Sequence, residues 1–139
     1  MKLTSLILII FLTISVKAQN CCEFKAGRNI SIIELGQEFQ RLKNINDRKC
    51  CNNFGSGLMN IMEMLHDSLD LGVSESKIVN LMGAPDKFAS KDYPVEHHFI
   101  NLKEGERVLI YFWRGMHDFL YFGIKDDKLI YKNWYYALE

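Results

Sequence analysis

The apolar positions of this chain are spaced as in helices before Pro85 and as in strands after it. From Ser31 onward they recur at intervals of three and four residues, which is the stripe of an amphipathic helix, and they comprise Ile32, Leu35, Phe39 and Leu42. Ser31 and Glu34 have the spacing of a capping box, in which each side chain satisfies a backbone donor. We therefore predict a first helix over residues 31–45.

Two further helical stripes follow a loop at 44–57 that is rich in Asn, Asp, Gly and Ser. The second helix has its apolar positions within 58–69 and stops at Gly72, a residue suited to a left-handed cap. The third is short, begins after Ser74 as its N-cap and ends at Gly83. The proline that follows prevents this helix from resuming.

The second half of the chain has the composition of strands, with many aromatic and β-branched residues between short turns. We predict a hairpin through Asp126-Asp127, since aspartate tolerates the positive φ of a tight turn. The predicted strands span 97–102, 107–113, 118–125 and 128–136. Strands grouped after helices indicate an α+β domain, with N-terminal helices packed on a four-stranded antiparallel β-meander.

Residues 1–18 have the pattern of a secretory signal peptide. Met1-Lys2 is a short positive start, residues 3–16 are almost wholly apolar, and Val16-Lys17-Ala18 places small residues where a signal peptidase cuts. The apolar run is too short for a membrane-spanning helix. We expect an exported protein, periplasmic or secreted, whose remaining 121 of 139 residues form one domain made of a segment at 19–57 and a segment at 58–139.

The charge balance argues against nucleic acid as a partner. After residue 18 the chain carries 15 basic and 17 acidic side chains. Binding to phosphates needs a basic patch that releases counterions. We therefore expect no nucleic-acid partner.

All four cysteines lie in two adjacent pairs, Cys21-Cys22 and Cys50-Cys51. In an exported chain an even number of cysteines indicates disulfides. Neighbouring cysteines seldom bond each other because the ring is strained, so we predict bonds between the two pairs. A metal site, a redox pair or acylation of Cys21 are the alternatives, although Asn20 does not suit the processing that precedes acylation. We expect no lipid anchor.

The segment LGVSESKIVNLMGAPD at 71–86 resembles a helix and glycine-proline turn of the small outer-membrane SmpA/OmlA proteins and of domains with the related β-lactamase-inhibitor-protein-like fold. The sequences YFWRG at 111–115 and KDDKL at 125–129 stand where that group has an early strand aromatic and a turn before the last strand. The resemblance covers about 58–139. It implies a non-enzymatic module of the bacterial cell envelope that binds another protein.

Catalytic chemistry has few candidates in this chain. Paired histidines His97 and His98 would point to opposite faces of a strand, and His117 lies beside Asp118 in a turn. A small metal-dependent hydrolase using these three histidines is the enzymatic alternative. Because a nucleophile elbow, a phosphate loop and a dinucleotide fingerprint are all missing from the sequence, we expect no enzyme and no cofactor.

Aromatic residues on the predicted strands are the strongest binding candidates. Tyrosine and tryptophan on a rigid sheet bury much area at little rotamer cost, as interfaces favour. We predict that the partner binds the outer face of the sheet, through Tyr111, Trp113, Tyr121, Tyr131 and Trp134. The alternatives are that these rings only stabilise the core and the sheet, or that the protein is an immunity or inhibitor protein that neutralises an exported toxin or hydrolase.

Overall fold

Three helices precede a four-stranded antiparallel sheet in the computed structural model, which describes residues 30–45, 57–90, 102–114 and 117–137. The predicted α+β class is confirmed, and the sheet order is β1-β2-β3-β4. Within the described ranges, no helix is both long enough and apolar enough to cross a membrane. The helices are α1 (Ile32–Asn44), α2 (Gly57–Ser68) and α3 (Glu75–Met82), and the strands are β1 (Lys87–Ser90), β2 (Arg107–Arg114), β3 (Asp118–Lys125) and β4 (Lys128–Tyr136).

The helix ends follow from their caps. The Ser31 hydroxyl accepts a hydrogen bond from Glu34 N at 3.3 Å, and the Glu34 carboxylate accepts one from Ser31 N at 2.8 Å, so the predicted capping box is confirmed. These bonds from Ser31 lower the pKa of Glu34. Ser74 caps α3, and Gly83 ends it with a φ of 73° that only glycine adopts easily.

The first strand differs from the prediction. The chain leaves α3 through Gly83 and Pro85 directly onto the edge of β2, where β1 pairs with residues 107–110. Asp86 fastens this turn, because its N–H donates to Ile110 O at 2.8 Å and its carboxylate accepts from Phe112 N at 2.8 Å. The predicted strand at 97–102 is therefore wrong as the neighbour of β2. Its last residue lies outside every strand, and residues 97–101 are outside the described ranges.

The hairpin between β3 and β4 is confirmed, with positive φ at Asp126 (49°) and Asp127 (58°). A bulge interrupts this pair, since Gly123 lies opposite Tyr131 while the next residue of β3 lies opposite Leu129. Ile130 is therefore an extra residue, and the side-chain alternation changes phase there. Leu129 consequently faces the helices, whereas Tyr131 faces away from them.

Both faces of the sheet are apolar. The inner face contacts the helices, and its strand residues include Leu109, Tyr111, Trp113, Leu120, Phe122 and Ile124. The outer face has a second buried cluster formed by Ala89, Val108, Ile110 and Phe119. An antiparallel sheet commonly leaves one face polar, so an apolar outer face requires a physical or functional reason.

Polar contacts join the helical layer to the sheet. The Tyr111 hydroxyl donates to Gly83 O at 2.9 Å, which fixes the turn after α3 to β2. Burial raises the pKa of this tyrosine, so the hydroxyl keeps its proton. Lys132 on β4 donates to His66 O in the last turn of α2, where a cation is favoured by the helix dipole.

Candidate functional site

The five aromatic residues predicted to share one surface lie on two faces of the sheet. Tyr111 and Trp113 are 0% and 3% exposed and belong to the inner core. Trp134 is half-buried against that same core, so its placement on the outer face is also wrong. Only Tyr121 and Tyr131 lie on the outer face.

The strand register explains this division. Tyr111 lies directly opposite Leu120, and cross-strand partners point to the same face. Tyr121, the next residue along β3, therefore points the other way. On β4, Trp134 lies opposite Leu120 and so faces inward.

Five rings form a continuous surface on the outer face, which we call the outer aromatic cluster: Phe112, Phe119, Tyr121, Tyr131 and Tyr135. Phe119 is fully buried at its centre, and the other four rings are half-buried. The centroid of the Phe119 ring is 4.9 Å from that of Tyr135 and 6.0 Å from those of Phe112 and Tyr121. Tyr121 continues the chain of contacts to Tyr131 at 6.3 Å. Such separations are those of favourable edge-to-face and offset ring pairs.

Gly123 positions the ring of Tyr131. The two residues are opposite each other on β3 and β4, and a Cβ atom on Gly123 would lie 2.1 Å from Cζ of Tyr131. The ring therefore lies directly against the backbone of β3, in space that a side chain would occupy. Glycine inside a strand often marks such a close approach, and here it allows the Tyr131 ring to lie against β3.

Sequence reasoning missed Phe112, Phe119, Tyr135 and Gly123 as parts of this surface. The available signal was the glycine in the middle of an aromatic strand, because glycine has low strand propensity and needs a local reason. The cross-strand register was also needed, and periodicity within one strand does not supply it.

The cluster presents tyrosine hydroxyls together with apolar ring surface. Burial, followed by the charge of Glu106, raises the pKa of Tyr131 to about 12. Its phenol is therefore protonated at neutral pH and can both donate and accept hydrogen bonds. At one end of the cluster, Lys87 Nζ lies 5.8 Å from the ring centroid of Phe112, a cation–π distance.

The first residue of β3 carries a buried carboxylate. Asp118 is fully buried, and it accepts from Arg114 Nε at 2.6 Å and from Ala137 N at 3.0 Å. These bonds join β2, β3 and the end of β4, so its role is structural. His117 beside it is exposed.

Metal-binding candidates are sparse in the part of the chain that the structure describes. No three His, Cys, Asp or Glu side chains there are grouped as metal ligands. His97 and His98 lie outside the described residues, as do the two cysteine pairs. Their predicted roles stay predictions.

Two open clefts lie beside α3, with volumes of about 440 and 470 Å³. In the first, Arg107 pairs with Glu75 and, at 2.7 Å, with Asp127. The hydrogen bond with Glu75 is the main cause of the raised pKa of Arg107. These ion pairs of the first cleft hold α3 against the hairpin turn.

The second cleft lies between α1 and α3 and includes exposed Ile33.

Comparisons with family models, with curated proteins and with solved structures give no match for this chain. The likeness to the SmpA/OmlA group therefore stays a prediction from residues 71–86, 111–115 and 125–129. The structure does give that segment a physical role. Its serine cap and its glycine-proline turn set the direction in which the chain enters the sheet.

Proposed function

We propose that this chain is an exported, non-enzymatic module of the bacterial cell envelope that binds another protein through the outer aromatic cluster. The observation that carries the proposal is the combination of four half-buried rings with a fully buried Phe119 beneath them. A sheet face that is apolar, aromatic and still partly accessible to solvent is unusual when the helices already cover the opposite face.

Rigidity makes these rings suitable for binding. Phe119 contacts three other rings of the cluster, and Tyr131 is held against Gly123. Little side-chain entropy is then lost when a partner covers them. Tyrosine adds a hydroxyl at the edge of a large apolar surface, which explains why it is enriched at energetically important interface positions.

Three sequence features support the cellular setting. The signal-like pattern at 1–18 indicates export, and Asn20 before the first cysteine favours a released protein over a lipid-anchored one. The resemblance at 71–86 indicates the envelope. We therefore expect the partner to be an envelope protein or an exported enzyme or toxin.

Site-specific photo-crosslinking in the native host tests the proposal. A photoreactive aromatic residue at Tyr121 is expected to give a discrete crosslinked species whose protein component mass spectrometry identifies. The matched control is the same residue at Ile33 on α1, which is 63% exposed and is not part of the outer aromatic cluster. The same crosslinks from both positions, or no crosslink from Tyr121, would contradict the proposal.

A substitution then tests the surface itself. Tyr121→Ala is expected to weaken binding of the identified partner at least tenfold, as the loss of a central interface ring does. Ile33→Ala is expected to leave the affinity within about twofold of the parent. Equal affinities for all three proteins would mean that the partner binds elsewhere.

A further inference from the structure

Among the strands that the structure describes, β4 forms one edge of the sheet. Along one side it pairs with β3 over its whole length. Along the other, pairing among the described residues is confined to its beginning, where Leu129 exchanges hydrogen bonds with Gly72 and Val73 and Lys128 forms an isolated bridge with Ser74. An edge strand with free backbone groups is a template on which another strand can add.

One backbone donor on this edge is held by a neighbouring side chain. Trp134 N–H donates to the side-chain oxygen of Asn133 at 2.9 Å. In an antiparallel pair the backbone groups of successive residues alternate between the partner strand and the opposite side. Ala137 N–H donates to His117 O, on the β3 side, so by this alternation Trp134 N–H is directed away from β3, out of the sheet edge. The side-chain oxygen of Asn133 thus occupies the position in which an added strand would place a carbonyl.

The rest of this edge suits pairing with a second copy of itself. In a two-fold antiparallel arrangement centred on Trp134, the two copies of that residue would exchange both of their N–H···O bonds. Lys132 would then lie opposite Tyr136 of the other copy, which places no like charges together. A register centred on Lys132 would instead oppose two lysines, which is unfavourable.

We propose that Asn133 prevents this chain from associating with a second copy through the β4 edge. Asn133 accepts the hydrogen bond of Trp134 N–H, so this donor is not available for the two central hydrogen bonds between the copies. Natural sheets use several such devices to avoid pairing of edges, and here the residue that provides it is exposed to solvent. The inference does not depend on the proposed partner of the outer face.

The test compares Asn133→Ala with the parent chain by sedimentation velocity over a wide range of protein concentration. The parent is expected to stay monomeric. The alanine variant frees Trp134 N–H and is expected to form a dimer with at least about tenfold tighter self-association, since an unpaired donor gains a partner in the dimer. Both proteins carry the same cysteines, so a disulfide contribution is common to both.

Asn133→Asp is the matched control because its carboxylate can accept the same hydrogen bond. It is expected to stay monomeric in low salt and also in high salt, where repulsion between carboxylates is screened. Amide hydrogen exchange by NMR locates the contact, because Trp134 N–H of the alanine variant should exchange more slowly as the concentration rises. A monomeric alanine variant, or a dimer in which the exchange of Trp134 N–H is independent of concentration, would overturn the proposal.

Discussion

At the scale of single residues, Gly123 determines where the Tyr131 ring can lie. Three ring atoms of Tyr131 lie within 2.4 Å of the place where a Cβ of Gly123 would be. We expect Gly123→Ala to push the ring off β3 and to lower the free energy of unfolding by about 1–3 kcal/mol, as overpacking does. Urea unfolding monitored by circular dichroism measures this change.

A double variant separates the ring contact from other effects of the new methyl group. Tyr131→Ala removes the ring, so adding Gly123→Ala in that background should cost much less than it costs in the parent. Equal costs in the two backgrounds would show that the ring and the glycine are not coupled.

The ionisation of Tyr131 gives a second prediction for a single residue. Burial raises its pKa from the ordinary 10.0 to about 12. Below pH 10 the phenol is neutral in the folded and unfolded chains, and its contribution to stability is fully present. Between pH 10 and pH 12 the unfolded chain loses this proton more readily, so the free energy of unfolding should fall as pH rises.

Tyr131→Phe provides the comparison for this pH dependence. Tyr111 and Tyr136 also have raised pKa values and remain in the variant, so stability should still fall with pH. The fall should be shallower than in the parent between pH 10 and pH 12, and urea midpoints at several pH values measure it. Parallel curves for the two proteins would mean that Tyr131 titrates with its ordinary pKa.

At the scale of secondary-structure elements, α1 and α3 approach each other closely at Gly36. A Cβ atom there would lie 2.7 Å from the carbonyl oxygen of Leu81, a backbone atom that cannot rotate away. Gln40 strengthens the same contact by donating to that oxygen at 2.9 Å. The pair thus combines a steric requirement with a polar one.

We expect Gly36→Ala to lower the free energy of unfolding by about 1–3 kcal/mol. This sign is opposite to that of helix propensity, which favours alanine over glycine by about 1 kcal/mol. Gln37→Ala, at an exposed position one residue further along α1, should leave the stability within about 0.5 kcal/mol of the parent. Stabilisation by Gly36→Ala would contradict the close helix contact.

The elements also differ in how much of their geometry is local. The N-terminal ends of α1 and α3 depend on hydrogen bonds within a few residues of Ser31 and Ser74. These helix starts could therefore be predicted from the spacing of residues alone. Strand β1 could not, because four residues with one buried side chain give no periodic signal. It exists because the turn at Asp86 delivers it to the edge of β2.

The candidate site was predicted only in part for the same physical reason. Alternation divides each strand into two sets of side chains, but it does not say which set of one strand joins which set of the next. That choice depends on pairs such as Tyr111 with Leu120, and on the bulge at Ile130. Tyr121 and Tyr131 were therefore assigned to one face together with residues that belong to the other.

At the scale of the whole molecule, the sheet separates two apolar clusters with different neighbours. The inner cluster joins the sheet to all three helices, whereas the outer cluster is built mainly from strands. Substitutions on the two faces should therefore have different consequences. Inner-face residues are expected to govern stability, and the half-buried outer rings are expected to govern binding.

A pair of alanine variants tests this division. Trp113→Ala removes an inner ring that is 3% exposed, and we expect a loss of about 3–5 kcal/mol in the free energy of unfolding. Tyr121→Ala removes a half-buried outer ring and should cost only about 1 kcal/mol. Chemical denaturation measures both losses of stability. The affinity of the folded Tyr121→Ala protein for its partner then measures the effect of the outer ring on binding. If the two variants lost similar stability, the outer rings would be serving the fold rather than a partner, because a ring kept for binding contributes most of its buried area only in the complex.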